Sequence, residues 1–154
     1  MKKLTLALIA LVLGFVSLSA QDYTRKQIVF REGIVDYLNE EGFKAKVDSD
    51  GDVAFKKEGK DYWISIESED PFYIEFHVSG FSMEDVNRKV ILEAANYTNL
   101  TKRCGKACVG DESVAFTVEY YCQTLSAFKE TFYRNMRALD ATKEAVVDYY
   151  SEHE

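Results

Sequence analysis

The chain has 154 residues, a formal charge of −7, and ten Tyr and ten Phe against a single Pro. That aromatic load excludes a disordered chain, because disordered segments are poor in aromatics and bury little. The acidity, with no basic stripe to relieve it, argues against a nucleic-acid partner.

In chain order the first predicted element is an export signal. Lys2 and Lys3 open it, Leu4 to Ser17 run almost without polar side chains, and the small residues Ser17, Ser19 and Ala20 stand before Gln21. A basic start, an apolar run and a small-x-small site are the three parts of a secretory signal. The apolar run falls short of the roughly 20 residues that cross a bilayer. The sequence therefore predicts a signal peptide over 1–20, cleavage after Ala20, and a periplasmic or secreted product with no membrane attachment after cleavage. Removal of 1–20 leaves 134 residues, and the loss of Lys2 and Lys3 takes the formal charge from −7 to near −9. That length is close to the modal size of one domain, and no repeat or linker divides it, so a single domain is expected over 21–154.

Ile28, Ile34, Val35 and Leu38 among charged neighbours predict an amphipathic helix over 23–41, stopped by Gly42. The pattern then changes to period two. Phe43, Ala45 and Val47 predict one strand and Val53 and Phe55 the next, joined by a tight turn at Asp48 to Asp52. Tyr62, Ile64 and Ile66, then Phe72, Ile74, Phe76 and Val78, complete a four-stranded antiparallel meander with one apolar and one polar face. Ser82 is expected to cap a helix over 83–97 with Val86, Val90, Ile91 and Ala94 inward. A second hairpin, 102–109 and 113–122, and a last helix over 125–150 close the chain. The last helix turns Phe128, Phe132, Met136, Leu139, Val146 and Tyr150 to one side. The expected fold is α+β, in the order α-β-β-β-β-α-β-β-α, a mostly antiparallel sheet with helices packed on one face.

The motifs that invite chemistry resolve into structure. A calcium loop of the helix-flanked kind has Gly at its sixth position and Glu at its twelfth; here Gly51 is fourth and Lys56 and Lys57 come after it, so 48–52 reads as a turn. Cys104 and Cys108 lack the further ligands that zinc needs, because the only histidines are His77 and His153. No metal and no cofactor are expected. In the hairpin register Val109 faces Val114, Ala107 faces Phe116 and Gly105 faces Val118. That places Cys104 and Cys108 on one face, about 13 Å apart and beyond disulfide reach. Cys122 is expected opposite Thr101 on the other face, leaving three free thiols. No Ser sits in a nucleophile elbow, and His77 has no evident partner. Asn96 and Asn99 suit the end of the second helix, since Asn tolerates turn conformations.

Several stretches together resemble a known family. They are Ile34 to Phe43, Asp50 to Phe55 with Lys57 to Gly59, Val86 and Asn87 leading to Asn96 and Asn99, Lys106 and Ala107, and Val114 to Glu119. The spacing is similar to that of the YbjN-like domain over roughly residues 28–150. That resemblance implies the fold of type III secretion chaperones, which are typically dimers holding partly unfolded client segments. It carries no catalytic residues. The export signal departs from the cytoplasmic setting of those chaperones.

The leading functional expectation is a non-catalytic module, a homodimer engaging a protein or peptide partner in the cell envelope. Its candidate surface is the outward side of the meander, with Trp63, Tyr73, Glu75 and His77, where aromatics and charge mix as in recognition surfaces. The second reading is a small-ligand-binding protein or hydrolase built on a carboxylate pocket of Glu67, Glu75 and Glu119.

Overall fold

The computed structural model describes residues 23–67 and 70–154; the predicted signal segment lies outside them. Among the described residues three helices and one six-stranded antiparallel sheet occur in the predicted order. They are α1 (Arg25–Glu40), β1 (Lys46–Val47), β2 (Val53–Lys57), β3 (Lys60–Ile66), β4 (Phe72–Ser82), α2 (Arg88–Thr101), β5 (Gly105–Val109), β6 (Ser113–Cys122) and α3 (Leu125–His153). The sheet order β1-β2-β3-β4-β6-β5 joins the meander to the second hairpin through β4 and β6. Among the described residues no helix is long and apolar enough to cross a membrane.

Period-two alternation makes the strands. Val53, Phe55, Tyr62, Ile64, Ile66, Phe72, Ile74, Phe76 and Val78 are all buried on the helix side. They join Phe128, Phe132, Met136, Leu139 and Val146 of α3, and Phe30, Ile34 and Leu38 of α1, in one core. Asp140 pins α3 to the sheet, accepting from the Tyr62 hydroxyl at 2.9 Å and from Lys60 Nζ at 3.0 Å. β5 lies against α3 at Gly105, where an added Cβ would lie 1.9 Å from Thr142 Oγ1. Only glycine fits there.

Several expectations move. The buried stripe of α1 is Gln27, Phe30, Ile34, Tyr37 and Leu38, turned slightly from the predicted one, with Ile28 and Val35 at its flanks. Gln27 lies inside because it completes the capping box with Thr24 and its Nε2 donates to the Ile66 carbonyl at 3.1 Å. The first strand shortens to two residues, because Lys44 takes φ of +52° and leaves the extended region. The second helix begins at Arg88 instead of 83. Asn87, not Ser82, is its cap, its side chain accepting from the amides of Lys89 and Val90. β4 instead continues to Ser82 across an irregularity between Val78 and Phe81. At the far end α2 runs through both Asn96 and Asn99 to Thr101, so neither ends it.

That extension shortens β5 to Gly105–Val109 and takes Thr101 out of the sheet. Cys122 pairs with Phe72 instead. The hairpin register itself is as expected, with Val109, Ala107 and Gly105 facing Val114, Phe116 and Val118. Cys104, Cys108 and Cys122 are free, the first two exposed and the third buried. Burial raises the Cys122 thiol above its usual range, although its Sγ meets the Thr124 carbonyl.

Candidate functional site

All three helices pack on one side of the sheet, and among the described residues nothing covers the other side. On it the strand register gathers all four predicted surface residues and sets Tyr73, Glu75 and His77 opposite residues of β6. Trp63 stands opposite His77, and His77 opposite Thr117. Glu75 stands between Ser65 and Glu119. Tyr73, the fourth, faces Tyr121 at the end of the sheet with ring centroids 5.4 Å apart. Tyr121 is 68% exposed, an uncommon position for so large a ring.

Two carboxylates directly opposite each other destabilise a sheet, and the surrounding groups offset this. Glu119 Oε2 accepts from the Tyr73 hydroxyl and from Lys106 Nζ, and its Oε1 accepts from Thr117 Oγ1 at 3.1 Å. His77 Nε2 lies 3.6 Å from Glu75 Oε1. The Lys106 and Tyr73 hydrogen bonds hold the Glu119 carboxyl below its ordinary range. Conversely, the bond to Glu119 pushes the Tyr73 hydroxyl up to about 12 and raises the Lys106 ammonium. A carboxylate saturated by three donors and tuned downward is a poor general acid or base near neutrality. Glu67 is exposed beyond the end of β3 and meets Tyr73 only through its backbone amide. The predicted trio of carboxylates is thus a cross-strand pair, Glu75 and Glu119, and an outlier.

Glu119 stabilises the fold as the anion, so its contribution is present above the unfolded value of 4.5 and is lost as pH falls through the lowered folded value. Glu119→Gln is expected to cost roughly 1 kcal/mol at pH 7. Urea titrations from pH 7 downward should show the two stability curves converging below 4.5. Parallel curves would mean that the cluster does not hold Glu119 charged.

The twist of the sheet brings opposite corners toward the open side, and a shallow groove of about 480 Å³ lies across it. Trp63 and His77 line it beside Gly80 and Ala115, and Asp48, Asp50 and Asp52 wall it. The 48–52 segment is a closed turn, as expected. Asp48 Oδ1 accepts from the amides of Asp50 and Asp52, both at 3.0 Å. From α1, Arg31 reaches the Gly51 carbonyl at 2.9 Å and stacks over the Tyr23 ring.

The family model described as "Putative bacterial sensory transduction regulator", YbjN, matches residues 31–152. The chain belongs to the YbjN family. No curated protein and no solved structure matches it. The match runs from the middle of α1 to the end of α3, so the whole sheet and its open face are the YbjN domain's own. Within that domain, Lys106, Thr117 and Tyr121 are site residues that the sequence did not single out. The alternation along β6 already placed Thr117, Glu119 and Tyr121 on one face; the pairing of β4 with β6 that brings them to Tyr73 and Glu75 is non-local.

Among the described residues no group of three or more His, Cys, Asp or Glu is placed to hold a metal ion. Asn99 of this YbjN domain has a structural task instead. Its side chain accepts from the Ala107 amide at 2.8 Å and donates to the Ala107 carbonyl at 3.0 Å. It thereby occupies the outward hydrogen-bonding groups of an edge strand, one of the devices that blunt such edges.

Proposed function

We propose that this YbjN-family chain is a non-catalytic binding module that engages a protein or peptide partner through the open face of its sheet. The observation that carries the reading is the composition of that face. It presents an exposed Tyr121, a half-buried Trp63 and His77, while its one tuned carboxylate is spent on neighbouring side chains. Aromatic rings ringed by satisfied polar groups suit recognition. The family's description as a sensory transduction regulator agrees with action by association.

The product is exported, begins at Gln21 as a single domain, and works in the periplasm or outside as a homodimer. Intact mass and light scattering of the envelope-borne product read these points directly. Like the type III secretion chaperones it resembles, it holds a client on its surface, with no nucleic acid or membrane as partner. The test is affinity capture from the native envelope fraction with the mature chain and with a Trp63→Ala/Tyr121→Ala variant. The expected result is a partner retained by the wild type and reduced at least about tenfold by the variant. Equal recovery by both would place the interaction elsewhere.

A further inference from the structure

We infer that the notch where β1 ends is a binding site for a small organic carboxylate with an apolar body. The notch arises from the backbone. β2 runs to Lys57, but β1 pairs with it only at Lys46 and Val47, because Lys44 at φ +52° turns the chain out of the sheet. The left-handed conformation is uncommon for a residue other than Gly, Asn or Asp. It is held here by the Asn39 side chain, whose Nδ2 donates to the Ala45 carbonyl at 3.2 Å. Strain of this kind clusters at ligand sites.

The missing strand opens a cavity of about 520 Å³, within the range of small-molecule sites. Phe43 and Trp63, both partly exposed, give it an apolar lining backed by the buried Phe55 and Tyr62, and Lys44, Lys46 and Lys56 stand at its mouth. In a chain of net charge −7, three lysines around an aromatic cleft are a local inversion of sign. Lys56 is paired to Asp61 at 2.9 Å, which also lines the cavity. Among the described residues Lys44 and Lys46 have no ion-pair partner. The remaining acid at the rim, Asp48, has Oδ1 committed to the 48–52 turn. An apolar body fits against the rings, and a carboxylate fits Lys44 and Lys46 through charge-assisted hydrogen bonds.

This site shares Trp63 and Asp48 with the open-face groove but has its own lysines, and the experiment keeps the two apart. Trp63, the chain's single tryptophan, lines the notch and serves as reporter. The probes are 3-phenylpropionate and its amide, followed by Trp63 fluorescence with calorimetry alongside, so that spectroscopically silent binding is counted. The acid is expected to bind saturably and the amide at least about tenfold more weakly. Lys44→Gln/Lys46→Gln, two exposed positions with little bearing on folding, is expected to abolish that preference. Tyr121→Ala, on the open face and outside the notch lining, leaves it unchanged. Equal affinity for acid and amide, an undiminished preference in the lysine variant, or no saturable binding of the acid below about 10 mM overturns the inference.

Discussion

Phe132→Ala is expected to destabilise the domain by about 3–5 kcal/mol, a large part of the roughly 5–15 kcal/mol typical of a folded domain. Phe132 is fully buried, and its ring lies within 6.0 Å of those of Tyr37, Phe43, Phe55, Phe76, Phe128 and Tyr133. Those neighbours come from α1, its C-terminal loop, β2, β4 and α3 itself, so they cannot all close on the vacated space together. The residual cavity adds to the lost transfer energy. The measurement is urea denaturation, with the midpoint falling at unchanged slope. A loss below about 1.5 kcal/mol would mean that the core collapses around the gap.

Gly80→Val is expected to cost more than about 3 kcal/mol, through overpacking against an atom that cannot move alone. A Cβ at Gly80 would lie 1.6 Å from the Val114 carbonyl oxygen and 2.7 Å from its carbon. Both belong to β6 backbone, in the stretch where β4 and β6 change register between Val78 and Phe81. Lys143 Nζ reaches the Ser79 carbonyl at 2.5 Å in the same stretch, with burial lowering its ammonium below the ordinary lysine range. The substitution therefore has to break the β4–β6 pairing beyond Val78. Thermal unfolding reads the loss, and Lys143→Met, which removes the contact to Ser79 and leaves the β4–β6 pairing in place, should cost less than half as much. Near-wild-type stability of Gly80→Val would contradict the close approach.

What was legible in the sequence is what depends on local period. Alternation fixed the inward residues of β2, β3, β4 and β6 one by one, and the turn at Gly110 and Ser113 fixed the hairpin register and the face of Cys108; Cys104 falls just outside β5. Boundaries that tertiary contacts decide were not legible. Ser82 has the chemistry of a helix cap, and its Oγ does accept from the Glu84 amide. Even so, the continued pairing of Phe81 with Val114 and Ser82 with Ser113 keeps that segment in the sheet and passes the cap to Asn87. Asn99 has turn propensity, but two hydrogen bonds to Ala107 suit it to the face of a continuing helix. Trp63, Tyr73, Glu75 and His77 were placed on one face correctly. Their neighbours Lys106, Thr117 and Tyr121 depend on β4 and β6 becoming partners across α2 and β5, which no local pattern encodes.

Whether the open face is the surface that binds is tested most directly by hydroxyl-radical footprinting of the captured complex, compared with the free chain. Oxidation of Trp63, Tyr73, His77 and Tyr121 is expected to fall severalfold in the complex. Leu92, Tyr97 and Leu100, exposed on α2 on the opposite side of the molecule from the sheet's open face, should keep their free-chain reactivity. Protection of the α2 residues with the sheet residues unchanged would contradict binding through the sheet and move the binding surface to the helices.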